Sequence, residues 1–577
     1  MISLPARLRG RRAERLCTFV LIAVASWYWL RYFHRSTNLL DEGSTAAQAL
    51  RILNGQLIYR DFFTIVTPGS YYTIAWLFQI FGPSLMVMRW AALVTGLGVL
   101  VTTFGVTRRM ASWPFAAGAA LMTTVWGWFL SAPNFYSLEA ALFSLIALAL
   151  FLRGPGWLLA AGVSAGAAAM VKQNVGAYTT LALVSAIWIS AIFDHGLDVK
   201  RRLRESGRLI TGVAIVVVPV LLWLIASGAG PYLYESWVYY PLAKYPERFA
   251  LPFPDFYPVL PEAGLSTLRE AVPAVLAGRV PAPAVYEFWM RCVLHLPVLV
   301  YPLALVTLAV LSYRARLRGD AEAATEGRIL LAMSLFGILT LLQAWPRADA
   351  THILFGLQGT FALLAYLLYK ASLVAATKFN AQSVAATKFN PRMVAATILA
   401  MAPLLFILWN GYQRTQWEYQ NYVAGLHVDR GRGIVTQLLE AERIDTVTSY
   451  IAEHTAVDDG VFVVPWASGF NFLTNRMNPT RTDFLLFEDP ESYPCLLARL
   501  DERPPKYVIY GYTWDVDGRR FRDYAAPVDQ YIRSRYAVEF TTDGYEIWRR
   551  IDSARQAAGS IPNACRPRPF RWRDLTR

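Results

Sequence analysis

The sequence predicts a polytopic α-helical membrane protein, with about eleven transmembrane helices and a C-terminal α/β domain outside the membrane. Three observations predict it. Apolar residues make up 55% of the chain and charged residues 17%, and the apolar ones fall in repeated long blocks. Basic residues cluster in the connections between those blocks, where positive charge marks the cytoplasmic side. From about residue 413 the texture changes to short apolar runs alternating with amphipathic ones.

The N-terminus, MISLPARLRGRRAERLCTFVLIAVASWYWLRYF, has a basic start and then an apolar run. No small-residue cleavage site follows, so it reads as an uncleaved first helix rather than a signal peptide. A bilayer core of ~30 Å needs about 20 helical residues. On that measure, spans fall at 16–33, 85–106, 114–131, 135–152, 156–172, 176–193, 209–227, 291–312, 329–345, 352–369 and 393–410. The segment 68–82 (PGSYYTIAWLFQIFG) is apolar but short, flanked by prolines and studded with tyrosines. It reads as a helix lying on the membrane surface.

The basic clusters test this map. Arg7, Arg9, Arg11, Arg12 and Arg15 precede the first span, and Arg108 and Arg109 follow the second. Arg153 follows the fourth, and Lys200 to Arg208 the sixth. Arg314, Arg316 and Arg318 follow the eighth, and Lys370, Lys378, Lys388 and Arg392 the tenth. All lie on one side if the N-terminus is cytoplasmic, and an odd span count then puts the C-terminal region outside. The chain divides into a membrane domain, 1–412, and a soluble extracytoplasmic domain, 413–577. The expected location is the cytoplasmic (inner) membrane, with the active site on its outer face. The membrane domain carries a first outer loop (34–84) and a large outer loop (228–290). The excess of Lys plus Arg over Asp plus Glu, 55 to 41, is explained by these clusters and calls for no nucleic acid.

In the linker SLVAATKFNAQSVAATKFNPRMVAAT, VAATKFN repeats at a ten-residue spacing, too short for a solenoid, and no function is assigned to it. In the outer domain, VFVVP (461–465) and KYVIYGY (506–512) read as buried strands, and IDTVTSYIAEHT and PVDQYIRSRY as amphipathic helices. EFTTDGYEIWRR (539–550) reads as a closing hairpin with a DG turn. Cys17 and Cys292 fall in apolar segments and read as packing residues; Cys495 and Cys565 can pair if their region is extracytoplasmic.

On this map the outer face collects the polar chemistry. Asp41 and Glu42 stand at the mouth of the first span, with Arg60 and Asp61 farther along the same loop. SAPNFYS (131–137) is followed by Glu139, and span five ends in Lys172, Gln173 and Asn174. WPRADATH brings Arg347, Asp349 and His352 between spans nine and ten. The large loop carries PYLYESWVYYPLAKYPERF, with Tyr239, Tyr240, Lys244 and Arg248. Each has a plainer reading. Asp41 and Glu42 suit the first turn of a helix, and Arg60 and Asp61 can simply pair. Lys172 can snorkel, Arg347 and Asp349 can form a surface ion pair, and the tyrosines can be an interfacial belt. Their convergence on one face instead suggests a site for an anionic, membrane-borne substrate. Arginine and lysine grip phosphate oxygens, and a carboxylate beside them can take a proton from an attacking hydroxyl. No P-loop, GxGxxG or HExxH pattern is present, and no His/Cys cluster has metal-ligand spacing.

DEG at 41–43, AAQALRILNGQLIYRDF, TPGSYYTIAWLFQIFG and Arg89 entering the next span together resemble the first outer loop of GT-C glycosyltransferases. The pattern is most similar to bacterial relatives of protein O-mannosyltransferase and of the lipid A aminoarabinose transferases. KQN at 172–174, PRAD…H at 347–352 and FNFLTNRMNPTR at 470–481 add to the resemblance. It implies transfer of one sugar from a polyprenyl-phosphate sugar to an extracytoplasmic acceptor, with inversion at the anomeric carbon. It implies Asp41 as general base, with Glu42 orienting the acceptor or sharing the role. Arg347, then Lys172, are the expected ligands of the donor phosphate, with His352 orienting Asp349 or touching the phosphate. Arg60, Asp61, Tyr239, Tyr240 and Lys244 are the expected acceptor or loop contacts. No cofactor or divalent metal is expected. The acceptor can be a glycan, a lipid or a protein. Three other readings stand beside this one: a lipid-linked sugar transporter or flippase, a non-catalytic cell-envelope assembly protein, and a ligase that transfers a whole glycan.

Overall fold

The computed structural model describes residues 4–126, 135–194, 198–379 and 401–551, apart from 403, 406, 407, 410, 414, 417, 418, 514 and 517, together with Cys565. The first ten predicted apolar blocks each hold a helix; the eleventh, 393–410, and the repeated linker fall largely outside the described residues. The membrane region begins with α1 (Leu4–Leu30), then α2 (Asp41–Leu53) and α3 (Gly69–Phe81). It continues through α4 (Leu85–Thr107), α5 (Trp113–Trp126), α6 (Phe135–Phe151), α7 (Leu158–Val171), α8 (Gln173–Ile189) and α9 (Val199–Ala226). After the large outer loop come α14 (Leu296–Arg318), α15 (Ala321–Leu341), the short α16 (Ala350–Leu354) and α17 (Gln358–Phe379).

Five described helices are long and apolar enough to cross a bilayer: Leu85–Thr107, Gln173–Phe193, Val199–Ala226, Ala284–Arg318 and Ala321–Ala344. Arg15–Leu30, Phe135–Phe151 and Pro155–Val171 are apolar but shorter.

Helix α9 starts ten residues before the predicted span 209–227. The basic run 200–208 is helix, not loop, because Asp198 caps it, accepting from the Arg201 N–H at 3.0 Å, and Arg201 pairs with Glu205 one turn on at 2.8 Å. Against α7 it packs backbone to backbone. A Cβ on Gly162 would lie 2.0 Å from the Leu209 carbonyl oxygen, and one on Gly212 2.2 Å from that of Leu159. Backbone on both sides leaves nothing to give way. Gly162→Ala is therefore expected to lower stability by about 1–3 kcal/mol, read as a lower midpoint of thermal unfolding in detergent.

The first outer loop forms two helices, α2 and α3, the latter within a residue of the predicted surface helix. The expected large outer loop, 228–290, is mostly helical. It holds α10 (Gly230–Tyr234), a π-helical stretch over Glu235–Lys244, α11 (Tyr245–Phe249), α12 (Leu268–Leu276) and α13 (Ala282–Leu294).

The C-terminal part of the chain, the expected outer domain, is α/β. Two short pairs stand apart from the main sheet: β1 (Ala424–Gly425) with β2 (Val435–Thr436) precedes it in sequence, and β5 (Asp515–Val516) with β6 (Arg519–Arg520) falls between its second and third strands. That sheet has the order β3-β4-β8-β7, from β3 (Val461–Val464), β4 (Tyr507–Gly511), β7 (Tyr536–Thr542) and β8 (Tyr545–Arg550). Strands β3 and β4 run parallel, with every residue buried, as their uninterrupted apolar runs require. The hairpin turns at Asp543-Gly544, where Gly544 takes φ 83°. Helices Leu438–His454 and Ala526–Arg535 fall on the two amphipathic runs. Cys495 and Cys565 form a disulfide, and Cys292 is a free thiol.

Candidate active site

The site is built around the first turn of α2. An aspartate there can spend its carboxylate capping the helix, but Asn38 takes that task. Asn38 Oδ1 accepts from the backbone N–H of Asp41 at 2.8 Å and of Leu40 at 3.1 Å. Asn38 Nδ2 reaches Asp41 Oδ2 at 3.3 Å. The Asp41 carboxylate, half-buried, is left to line a cavity of about 260 Å³. Burial pushes its pKa up, against the Asn38 hydrogen bond and the nearby His352 and Arg347.

Across that cavity lie Arg347, Asp349 and His352. Arg347 Nε donates to Asp349 Oδ2 at 2.8 Å, and His352 Nδ1 lies 2.8 Å from Asp349 Oδ1. Asp349 also caps α16, accepting from the His352 N–H at 2.9 Å. Burial alone would raise the Asp349 pKa; the His352 and Arg347 contacts outweigh it and hold the carboxyl at about 2. Asp349 is thus an ionised clamp that orients both a guanidinium and an imidazole. The segment is pinned from below, with the Ala348 N–H donating to Leu251 O at 3.1 Å and the Leu251 N–H to Pro346 O at 3.0 Å.

Lys172 sits at the break between α7 and α8, buried. Its ammonium donates to Ser137 Oγ at 2.9 Å and Gln343 Oε1 at 3.4 Å and lies 5.8 Å from the Tyr136 ring. Tyr136 lines the cavity, so Lys172 stands one side chain behind its wall. Both of these hydrogen-bond partners are neutral, and the Asp349 carboxylate is the charge that acts on the ammonium in this site.

The structure separates the other candidates from this group. Glu42 does not line the cavity with Asp41. It is 1% exposed and gripped from both oxygens by Arg89, whose Nη2 lies 2.6 Å from Glu42 Oε2 and whose Nε also bonds Oε1. Adjacent residues on a helix point about 100° apart, so one acid faces the cavity and its neighbour the core. Arg60 and Asp61 are no part of the cavity either. They pair with each other at 2.7 Å near the surface, and Asp61 also accepts from the Leu57 N–H. Tyr239 and Tyr240 line a neighbouring polar pocket, with Glu235, Arg481 and Glu488, that shares Phe63, Thr482 and Phe487 with the Asp41 cavity. Lys244 pairs with Asp489 at 3.4 Å and Glu247 at 3.8 Å and lies off the Asp41 cavity wall.

Several wall residues carry no signal in the sequence. Thr482, Asp483, Phe484 and Phe487 come from the outer domain, and Thr64 and Tyr71, bonded to each other at 2.9 Å, from the first loop. The outer domain is held there by Arg51 of α2. Its Nη1 donates to Asp483 at 2.8 Å and its Nη2 to Thr480 O at 2.8 Å, all out of water. Ser44 and Ser468 add a contact of 2.8 Å. Arg51→Ala would strand the buried Asp483 carboxylate, at a cost of about 3–5 kcal/mol. Limited proteolysis should then cut the outer domain faster than in the parent. Among the described residues no group of three or more His, Cys, Asp or Glu side chains is placed to hold a metal ion.

No family model matches the chain, and no curated protein matches it. Solved structures do. ArnT from Cupriavidus metallidurans in the apo state aligns with a TM-score of 0.54 at 13% identity, over 94% of this chain and 99% of that one. The same protein bound to undecaprenyl phosphate aligns at 0.51 and 13%, over 94% and 98%. The archaeal oligosaccharyltransferase AglB from Archaeoglobus fulgidus, in complex with an inhibitory peptide and a dolichol-phosphate, aligns at 0.52 and 11%, over 94% and 75%. At these identities the likeness is one of fold.

Proposed function

Taking the GT-C fold of the chain as the premise, we propose that it is a membrane glycosyltransferase. It moves a single sugar from a polyprenyl-phosphate carrier to a hydroxyl of a glycan, lipid or protein outside the cytoplasm. The observation that carries this reading is one cavity with a half-buried carboxylate, Asp41, on one wall and the Arg347–Asp349–His352 cluster on another. The two solved neighbours with a bound lipid hold undecaprenyl phosphate and a dolichol-phosphate, and a lipid phosphate is the kind of anion this cluster suits.

Asp41 accepts the proton of the acceptor hydroxyl as its oxygen attacks the anomeric carbon. The bond from that carbon to the phosphate oxygen breaks on the opposite side. Its electron pair leaves with the polyprenyl phosphate, and the configuration inverts. Arg347 and the Lys172 ammonium stabilise the charge that grows on the phosphate, and Asp349 keeps Arg347 and His352 in position. Holding two membrane-confined reactants in one cavity supplies much of the rate. No step in this account draws on a cofactor or a divalent metal. The acidic pair contributes differently from its two members: Asp41 by chemistry, Glu42 by fixing the turn that aims it.

The test is incubation of the purified protein with a panel of radiolabelled polyprenyl-phosphate sugars and membrane fractions. One label is expected to move to a membrane or envelope acceptor; a panel from which nothing moves overturns the proposal. In the same assay Arg347→Ala should lower kcat/KM for the donor by about 10–100-fold, the loss of a charge-assisted contact of about 1.5–3 kcal/mol. Arg347→Lys should recover only part of it, because an ammonium cannot serve Asp349 and a phosphate in the same plane.

A further inference from the structure

A second charged cavity lies at the other end of the helices that frame the active site. Helix α8 leaves Lys172 beside the first cavity and, with its short extension, runs 21 residues to Phe193, about 30 Å at 1.5 Å per residue. There the ends of α6 and α8 and the starts of α9 and α15 enclose a space of about 380 Å³. Its charged wall is Arg109, Arg201, Arg202 and Arg328 against Asp194 and Glu205. Four guanidiniums face two carboxylates, an excess of two positive charges. Asp194 is shared between Arg202 and Arg328, the latter at 2.5 Å, and Glu205 is taken by Arg201. Arg109 spends one N–H on the Leu152 carbonyl at 3.0 Å. Arg202 is 4% exposed, and its Nε meets no hydrogen-bond partner among the described residues. A buried donor left open costs free energy unless something accepts from it.

Most of the rest of the wall is hydrocarbon, including Phe151, Leu158, Ile187 and Ile329, with Ser190 and Thr325 adding hydroxyls. Next to it, α9 presents Leu203, Ile210 and Ile215 outward, each more than half exposed, the surface a lipid tail would cover. A net positive pocket with an apolar floor, at the end of membrane helices, matches an anionic head joined to acyl chains. We propose that this cavity binds the phosphodiester headgroup of an anionic phospholipid, in the leaflet opposite the sugar-transfer site. This proposal stands whether or not the transfer reading holds, since it uses none of the same residues.

The test is thermal unfolding of the purified full-length protein in a neutral detergent, with added dioleoylphosphatidylglycerol, dioleoylphosphatidylcholine or inorganic phosphate. Native mass spectrometry counts the lipid retained. Phosphatidylglycerol should raise the unfolding midpoint in a saturable way and stay bound at one per chain, while phosphatidylcholine and free phosphate do neither. Arg109→Gln with Arg328→Gln, both on exposed side chains, should weaken that response at least tenfold. Arg109→Gln alone should weaken it to a lesser degree. Arg204→Gln with Arg208→Gln, equally basic and off the cavity, should leave it unchanged. An equal response to phosphatidylcholine, or a response to inorganic phosphate alone, overturns the lipid assignment. So does an equal loss in the Arg204/Arg208 control, which would mean only general surface charge.

Discussion

Asp41→Asn is expected to cut transfer by about 10²–10⁴-fold, the usual effect of removing a general base, while the protein folds and still binds its donor. The change keeps the size of the side chain, and Asn38 rather than Asp41 caps α2, so the helix start does not depend on the carboxylate. The pKa direction gives two further signs. Burial raises Asp41 above the ordinary aspartate value, so the folded protein holds this proton more tightly than the unfolded chain. That contribution to stability is present at acid pH and lost as pH rises through the folded pKa. At neutral pH the ionised group is therefore a net cost, and Asp41→Asn should unfold at the same or a higher temperature than the parent. Activity has the opposite dependence. Only the carboxylate can accept a proton, so the acid limb of kcat/KM should lie above the range of a free aspartate and should vanish from the residual activity of Asp41→Asn. An Asn variant that transfers sugar at the parental rate would remove Asp41 from the mechanism.

The helices were legible because each is written in consecutive residues. A predominantly apolar block of about 18–20 residues leaves the chain little choice in a bilayer. The strands VFVV and YVIYG, the DG hairpin and the surface helix after Pro68 follow from equally local rules. The site was legible only in part. That Asp41, Lys172 and the PRAD segment belong to one region followed from placing their loops on one face. Which acid of the pair looked into the cavity did not, because that depends on the rotation of α2, and Arg89 on another helix sets the rotation. Arg51 and Asp483 stand 432 residues apart, and no spacing rule joins them. The contribution of Thr482 to Phe487 to the wall was hidden for the same reason. Lys244 and Tyr240 are expected as acceptor or loop contacts, and sequence alone does not say how they are turned. The π-helical stretch packs Tyr240 on Phe63 and Phe487, at 5.3 and 6.2 Å, and pairs Lys244 with Asp489.

Arg89→Ala is expected to lower stability by about 3–5 kcal/mol, because it strands a buried carboxylate. Arg89 does more than neutralise Glu42. Its Nη1 donates to Phe33 O at 2.9 Å and Arg35 O at 3.0 Å, and its Nη2 to Ser36 O at 3.0 Å. One guanidinium on α4 thus ties the chain leaving α1 to the first turn of α2. Glu42→Gln should cost less: it leaves the Arg89 charge buried, but that guanidinium keeps the carbonyls of Phe33, Arg35 and Ser36 and can still donate to the amide oxygen. The two variants also separate structure from chemistry. Glu42→Gln should lower the unfolding midpoint yet keep transfer, per folded molecule, within a few-fold of the parent. Asp41→Asn should do the reverse. A Glu42→Gln protein with an unchanged midpoint and a loss of transfer as large as that of Asp41→Asn would make Glu42 a second reacting group. Glu42 would then have to leave Arg89 during turnover, and the clamp drawn from this structure would describe only a resting state.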